Sequence, residues 1–156
     1  MKAAMFHKGE KYLRMEEVPT PEPGPGEVLI KVAACGVCHT DLHYLDHGTP
    51  TFVEPPFILG HEISGTVSAL GEGAKGFNEG DPVIIPAVLT CGQCPACRVG
   101  RENICYKMRM LGNHMNGGYA EYVVVPTKDL IPVPAHLPLA DCSIIADALS
   151  TPSHAV

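Results

Sequence analysis

Val28-Leu29-Ile30-Lys31-Val32-Ala33-Ala34-Cys35 runs directly into Gly36-Val37-Cys38-His39-Thr40-Asp41-Leu42-His43, and the architecture turns on how this stretch is read. Its first half is apolar and β-branched, the signature of a strand. The strand delivers the chain to a glycine and a cysteine, after which Cys38 to Leu45 is expected to form one or two helical turns. Upstream, Pro19-Thr20-Pro21-Glu22-Pro23-Gly24-Pro25-Gly26 is a breaker cluster that no regular element crosses, so it reads as a surface loop. Lys2 to Phe6, Tyr12 to Glu17, Ile63 to Leu70, Val83 to Ile85 and Tyr119 to Val125 are further predicted strands. Helical character beyond the turns after Cys38 is expected only late, over residues 137–149.

The composition agrees with a β-rich chain. Gly 16 plus Pro 15 is about a fifth of the 156 residues, against a usual share of roughly an eighth. With 46% apolar residues the chain can bury a core, and its length suits one domain. No repeat or low-complexity linker divides residues 1–156. The formal charge of -6 gives no footprint for nucleic acid or an anionic membrane surface. Met1 to Leu13 mixes charges with isolated apolar residues, and Pro82 to Leu89, the strongest apolar stretch, falls far short of the roughly 20 residues of a membrane span. The expectation is a cytoplasmic protein.

Seven cysteines is an odd number, and four of them, Cys91, Cys94, Cys97 and Cys105, fall within fifteen residues as C-x2-C-x2-C-x7-C. Such spacing lets one loop wrap four sulfurs around a tetrahedral ion, and zinc is the expected occupant ahead of an iron–sulfur cluster. Four thiolates leave no open coordination position, so this lobe, residues 91–105, is expected to be structural. Buried reduced thiols are the alternative, but Gly92, Gln93, Pro95, Arg98 and Gly100 offer them little apolar cover.

A second constellation starts from Cys38 and His61, with an acidic or thiol group from further along the chain. Three protein ligands and one open position make a catalytic rather than a structural zinc site. Zinc there lowers the pKa of a bound hydroxyl toward about 7. Thr40 and His43, a hydroxyl and an imidazole near Cys38, could pass the released proton outward.

The octet Gly36 to His43, followed by Gly60-His61-Glu62 and then the four-cysteine lobe, resembles the zinc-dependent alcohol dehydrogenases of the medium-chain dehydrogenase/reductase family, particularly the yeast-type enzymes in that octet. The resemblance covers essentially residues 1–156, which correspond to the family's N-terminal GroES-like catalytic domain, a mainly β, partly open barrel with short helices. It implies that Cys38 and His61 are catalytic zinc ligands. The third ligand, a cysteine in many relatives, falls on Asp147, with Cys142 as the rival. It further implies that Thr40 hydrogen-bonds the substrate oxygen, that His43 ends the proton relay, and that His39 contacts the coenzyme pyrophosphate. Glu62 would approach the metal transiently, and Asp41 would hold the imidazole of His61 or else cap the turn after Cys38. His7, His47, His114, His136 and His154 receive no metal role.

The family moves hydride to or from NAD or NADP held on a Rossmann-type domain. Gly71-Glu72-Gly73-Ala74-Lys75-Gly76 matches G-x-G-x-x-G formally, but Phe77 to Pro82 cannot open a helix, so a hairpin turn is expected. The coenzyme domain is therefore expected to lie outside these residues, leaving a fragment with two zinc ions and little turnover alone. The full-length form is expected to take a small alcohol, aldehyde or ketone and to form a homo-oligomer. The alternative is a stand-alone zinc-binding GroES-like structural or interaction module, and a zinc-ribbon nucleic-acid binder ranks behind it because the chain is acidic.

Overall fold

The stretch Glu27–Gly36 is the longest strand of the computed structural model, which describes residues 1–156. In chain order the strands are Lys2–Phe6 (β1), Arg14–Glu17 (β2), Glu27–Gly36 (β3), Phe57–Ile58 (β4), Glu62–Leu70 (β5), Pro82–Ile85 (β6), Val88–Leu89 (β7), Arg109–Met110 (β8), Tyr122–Pro126 (β9) and Ile131–Pro132 (β10). The helices are His39–Asp46 (α1), Pro95–Arg98 (α2) and Ser150–Ala155 (α3).

Alternation along β3 sends Val28 and Ile30 inward to full burial and leaves Lys31 exposed. β3 pairs antiparallel with β5 on one edge and β9 on the other, inside a five-stranded sheet of order β10-β6-β5-β3-β9. Register shifts at Leu29/Ile30 and Val32/Ala34 bend the β3–β5 ladder, as bulges do in curved sheets. The main core packs Ile63, Val67, Val83, Ile85, Leu111, Val123 and Val125 against Val28 and Ile30.

A three-stranded sheet, β2-β1-β4, lies beside it. The two are joined by residues 119–121, which hydrogen-bond to β1 (Ala4 N to Tyr119 O, 2.8 Å; Glu121 N to Lys2 O, 3.1 Å) before the same chain enters β9. All named strand pairs are antiparallel. This is the mainly β, open arrangement with short helices that the sequence predicts.

Three local expectations are corrected. Residues 137–149 do not form an α-helix; Asp141–Ala146 is a 3-10 helix. Its tighter winding, three residues per turn, stacks Cys142 and Ile145 on one face, where they and the preceding Leu139 pack on Ile84 and Val133. The strand expected from Tyr12 begins at Arg14, and the one expected from Tyr119 divides between the bridge to β1 and β9. Gly71 to Gly76 is a turn between β5 and β6, and a Cβ on Gly71 would collide with Gly24 O.

Candidate metal centres

The four-cysteine lobe is a loop folded on its own backbone amides. Cys94 caps the one-turn helix α2, which carries Cys97, and Cys91 and Cys105 close from either side. Amide groups donate to the sulfurs: Cys94 N to Cys91 Sγ at 3.4 Å, and Cys91 N and Lys107 N to Cys105 Sγ at 3.3 and 3.4 Å. Such donors favour thiolate; the amides of Cys97 and Tyr106 bring the Cys94 thiol down to about 6. Burial does the opposite at Cys97, pushed up to about 12. The sulfur–sulfur separations are 3.4, 3.5, 3.9 and 4.0 Å, far too long for disulfides. Four sulfurs around tetrahedral zinc stand about 3.8 Å apart, so the set fits that ion.

The second centre forms where β3, β5 and the segment after the 3-10 helix converge. Cys38 caps the N-terminus of α1, and Thr40 N donates to its sulfur at 3.5 Å. His61 directly precedes β5 and is fully buried. Its placement depends on Gly60, whose φ of +91° suits glycine and where a Cβ would lie 2.7 Å from both Cys35 Sγ and the Tyr119 ring. Asp147 is carried in just beyond the 3-10 helix. Its Oδ2 stands 3.5 Å from His61 Nε2 and 3.6 Å from Cys38 Sγ.

Tetrahedral zinc would set nitrogen–oxygen and sulfur–oxygen ligand pairs about 3.4 and 3.6 Å apart. Both ring nitrogens of His61 are buried without a hydrogen-bond partner, a costly state that a metal ion at Nε2 would relieve. The donor set and the orphaned nitrogen therefore fit a three-ligand zinc site. Cys142, the rival third group, is buried in the separate Ile84–Val133 cluster.

The surrounding groups take up distinct positions. Asp41, 1% exposed, has Oδ1 at 3.7 Å from His61 Nδ1, longer than a hydrogen bond. Its carboxylate accepts instead from Cys38 N (3.2 Å), Gly60 N (3.3 Å) and Tyr119 Oη (2.8 Å). It therefore caps α1 while leaning on the histidine. Glu62 is buried rather than on the surface; its Oε1 accepts from Ala148 N at 3.1 Å, and burial, then the Asp147 charge, holds its carboxyl above the usual range.

Thr40 Oγ1 lies 3.5 Å from Cys38 Sγ, and His43 is one helical turn further on, exposed to solvent. His39 opens α1 on the same exposed side. Sequence reasoning missed Tyr119, which it took for the start of a strand. Its hydroxyl, 3.1 Å from Gly36 O as well, ties Asp41 to the end of β3, and the only signal for it was an aromatic residue after Gly117-Gly118.

Comparison with known proteins adds relatives to this geometry. The family described as alcohol dehydrogenase GroES-like domain matches residues 24–135. An L-threonine 3-dehydrogenase of Stenotrophomonas maltophilia is 41% identical over 140 residues, covering 88% of this chain and 41% of that protein. The acetophenone reductase of Geotrichum candidum, solved with NAD, superposes with a TM-score of 0.90 at 39% identity, over 99% of this chain and 46% of that one. The cobalt- and zinc-bound thermostable alcohol dehydrogenase of Pyrobaculum aerophilum superposes at 0.85 and 35% identity, over 94% and 44%. The chain thus spans about two-fifths of the length of the relatives it matches.

Proposed function

The chain belongs to the family of alcohol dehydrogenase GroES-like domains, and from that premise we propose that it is the zinc-holding catalytic part of a NAD- or NADP-linked dehydrogenase interconverting an alcohol with an aldehyde or ketone. The observation that carries the reading is the convergence of Cys38, His61 and Asp147, all donor atoms within 4.8 Å of one another, around an imidazole with no other partner.

In this reading Cys38, His61 and Asp147 hold the catalytic zinc, and Cys91, Cys94, Cys97 and Cys105 hold a structural one. When bound in the first site, zinc supplies the Lewis acidity that makes a substrate hydroxyl acidic near neutral pH. A carboxylate in place of a thiolate keeps the ligand charge unchanged. Thr40 accepts a hydrogen bond from the substrate hydroxyl and relays its proton, giving up its own hydroxyl proton outward as it takes the new one, and the exposed imidazole of His43 passes that proton to solvent. Glu62, protonated more readily than an ordinary carboxyl, stands beside Asp147 and is placed to approach the metal when the substrate position empties. His39 opens a helix N-terminus and offers its ring as a hydrogen-bond contact to the coenzyme pyrophosphate.

The coenzyme itself is assigned to a segment outside residues 1–156, because these residues contain no parallel βαβ unit and their one G-x-G-x-x-G match is a turn. The 156-residue chain alone is accordingly expected to oxidise no alcohol with NAD; measurable turnover would refute that assignment. The substrate is a small alcohol or its carbonyl counterpart.

Elemental analysis tests the metal reading. The chain is expected to hold two zinc ions, falling to one in Cys38→Ser and in Asp147→Asn. A chain that holds one ion, retained in both variants, would leave the structural-module reading in its place.

A further inference from the structure

The solvent-exposed face of α1 carries three imidazoles at successive turns, His39, His43 and His47, with ring centroids 4.8 Å and 5.0 Å apart. The second pair is in direct contact: His43 Nδ1 and His47 Nδ1 are 3.0 Å apart. The backbone holds the two residues at this spacing, since His47 N donates to His43 O at 3.2 Å at the helix C-cap and Thr49 N donates to the same carbonyl at 3.1 Å. No carboxylate pairs with either ring.

From this arrangement we infer that His43 and His47 form a surface chelate for a divalent transition-metal ion of the nickel(II) or copper(II) type, separate from both zinc centres. Two imidazole nitrogens 3.0 Å apart, each about 2.05 Å from a shared ion, subtend about 94° at the metal. That is the angle between neighbouring positions of a square-planar or octahedral ion. A tetrahedral ion would instead spread the two nitrogens to about 3.3 Å, so the spacing favours nickel or copper over zinc.

To convert the hydrogen-bonded pair into a chelate, the ring donating from Nδ1 moves that proton to Nε2 and the two exposed rings turn so that both Nδ1 lone pairs converge on the ion. No net proton leaves. The exposure of both rings leaves room for water as further ligands. The net charge of -6 favours a cation at this surface. His47 thereby acquires a ligand role that the sequence did not suggest.

Binding at this pair does not depend on the dehydrogenase reading. Its consequence does: an ion on Nδ1 of His43 would occupy the ring assigned to the outer end of the proton relay.

The test is titration of the zinc-loaded chain with nickel(II) alone, following the imidazole ring protons by NMR while zinc release is measured with a chromogenic indicator. The expected result is one nickel ion bound with zinc retained, paramagnetic loss of the His43 and His47 ring signals, and persistence of those of His136 and His154. His47→Gln is expected to lower nickel affinity at least about tenfold. His43→Gln should do the same, and His136→Gln should change nothing. Equal affinity in His47→Gln would overturn the inference, as would nickel that displaces zinc and shows thiolate-to-metal absorption. Because the readouts are binding and ring signals, a chain that proves to have no dehydrogenase role would leave this result intact.

Discussion

Tyr119→Phe removes one oxygen and keeps the ring, so it isolates the hydroxyl that donates to Asp41 at 2.8 Å. Asp41 is 1% exposed, so loss of this donor leaves a buried carboxylate short of one partner. A hydrogen bond to a buried charged group contributes about 1.5–3 kcal/mol. Asp41 would keep its amide donors, Cys38 N and Gly60 N, so the expected loss stays near the lower half of that range. With an m-value of about 2 kcal/mol/M, the urea midpoint of the zinc-saturated chain should fall by roughly 1 M. Far-UV circular dichroism suits the measurement, because the chain has no tryptophan. A second readout follows from the contact of Asp41 with His61. Loosening that carboxylate should weaken zinc at the Cys38 site about 10–100-fold in a chelator competition, with the four-cysteine site unchanged. In a double-mutant cycle with Asp41→Asn most of the effect should vanish. A Tyr119→Phe chain with an unaltered urea midpoint and unaltered zinc affinity would refute the argument that this hydroxyl positions Asp41.

Two further outcomes are expected. Cys94→Ser should drop zinc content by one ion and open the 91–105 lobe to proteolysis, while the five-stranded sheet stays folded, because the lobe's sulfurs form their own cluster apart from the main core; an intact, protease-resistant lobe would contradict this. Burial pushes the Cys35 thiol up to about 12 from an ordinary 9.0 and raises Tyr44 above 10.0, so both hold their protons longer in the folded state than in the unfolded one. Their contribution is therefore fully present below the unfolded values and is lost as the pH climbs from 9 toward 12, by on the order of 1 kcal/mol per pH unit where the thiol dominates. Urea midpoints at pH 8 and pH 10.5 measure it, and Cys35→Ala should flatten the slope; a midpoint that is flat or rises would be the contrary result.

The strands were legible because alternation in Val28 to Val32 and β-branching in Val83 to Ile85 leave little room for another structure. Residues 137–149 were not, since an apolar face repeating every three residues, Leu139, Cys142 and Ile145, resembles the start of a helical pattern until the partner surface is known. The four-cysteine lobe could be read locally because all its ligands lie in one loop. The second cluster could not: 109 residues separate Cys38 from Asp147, and only the family resemblance linked them. Asp41 and Tyr119 show the same limit. Whether a buried carboxylate meets an imidazole or a phenol depends on how closely Gly60 lets the two segments approach, and that distance is a tertiary quantity.

The bridge from residues 119–121 to the first strand bears on how the protein assembles. Lys2 N reaches the carboxylate of Glu121 across 119 positions of chain, a long loop to close before any return in contacts. Topology of this kind belongs with slow folders, in the millisecond-to-second range. During synthesis the amino-terminal hairpin can form early, yet its far edge is closed in part by Phe57–Ile58 and otherwise waits, open to wrong partners, until residues 119–121 have emerged. What is made first is completed late, and the interval between is when this chain is most exposed to aggregation.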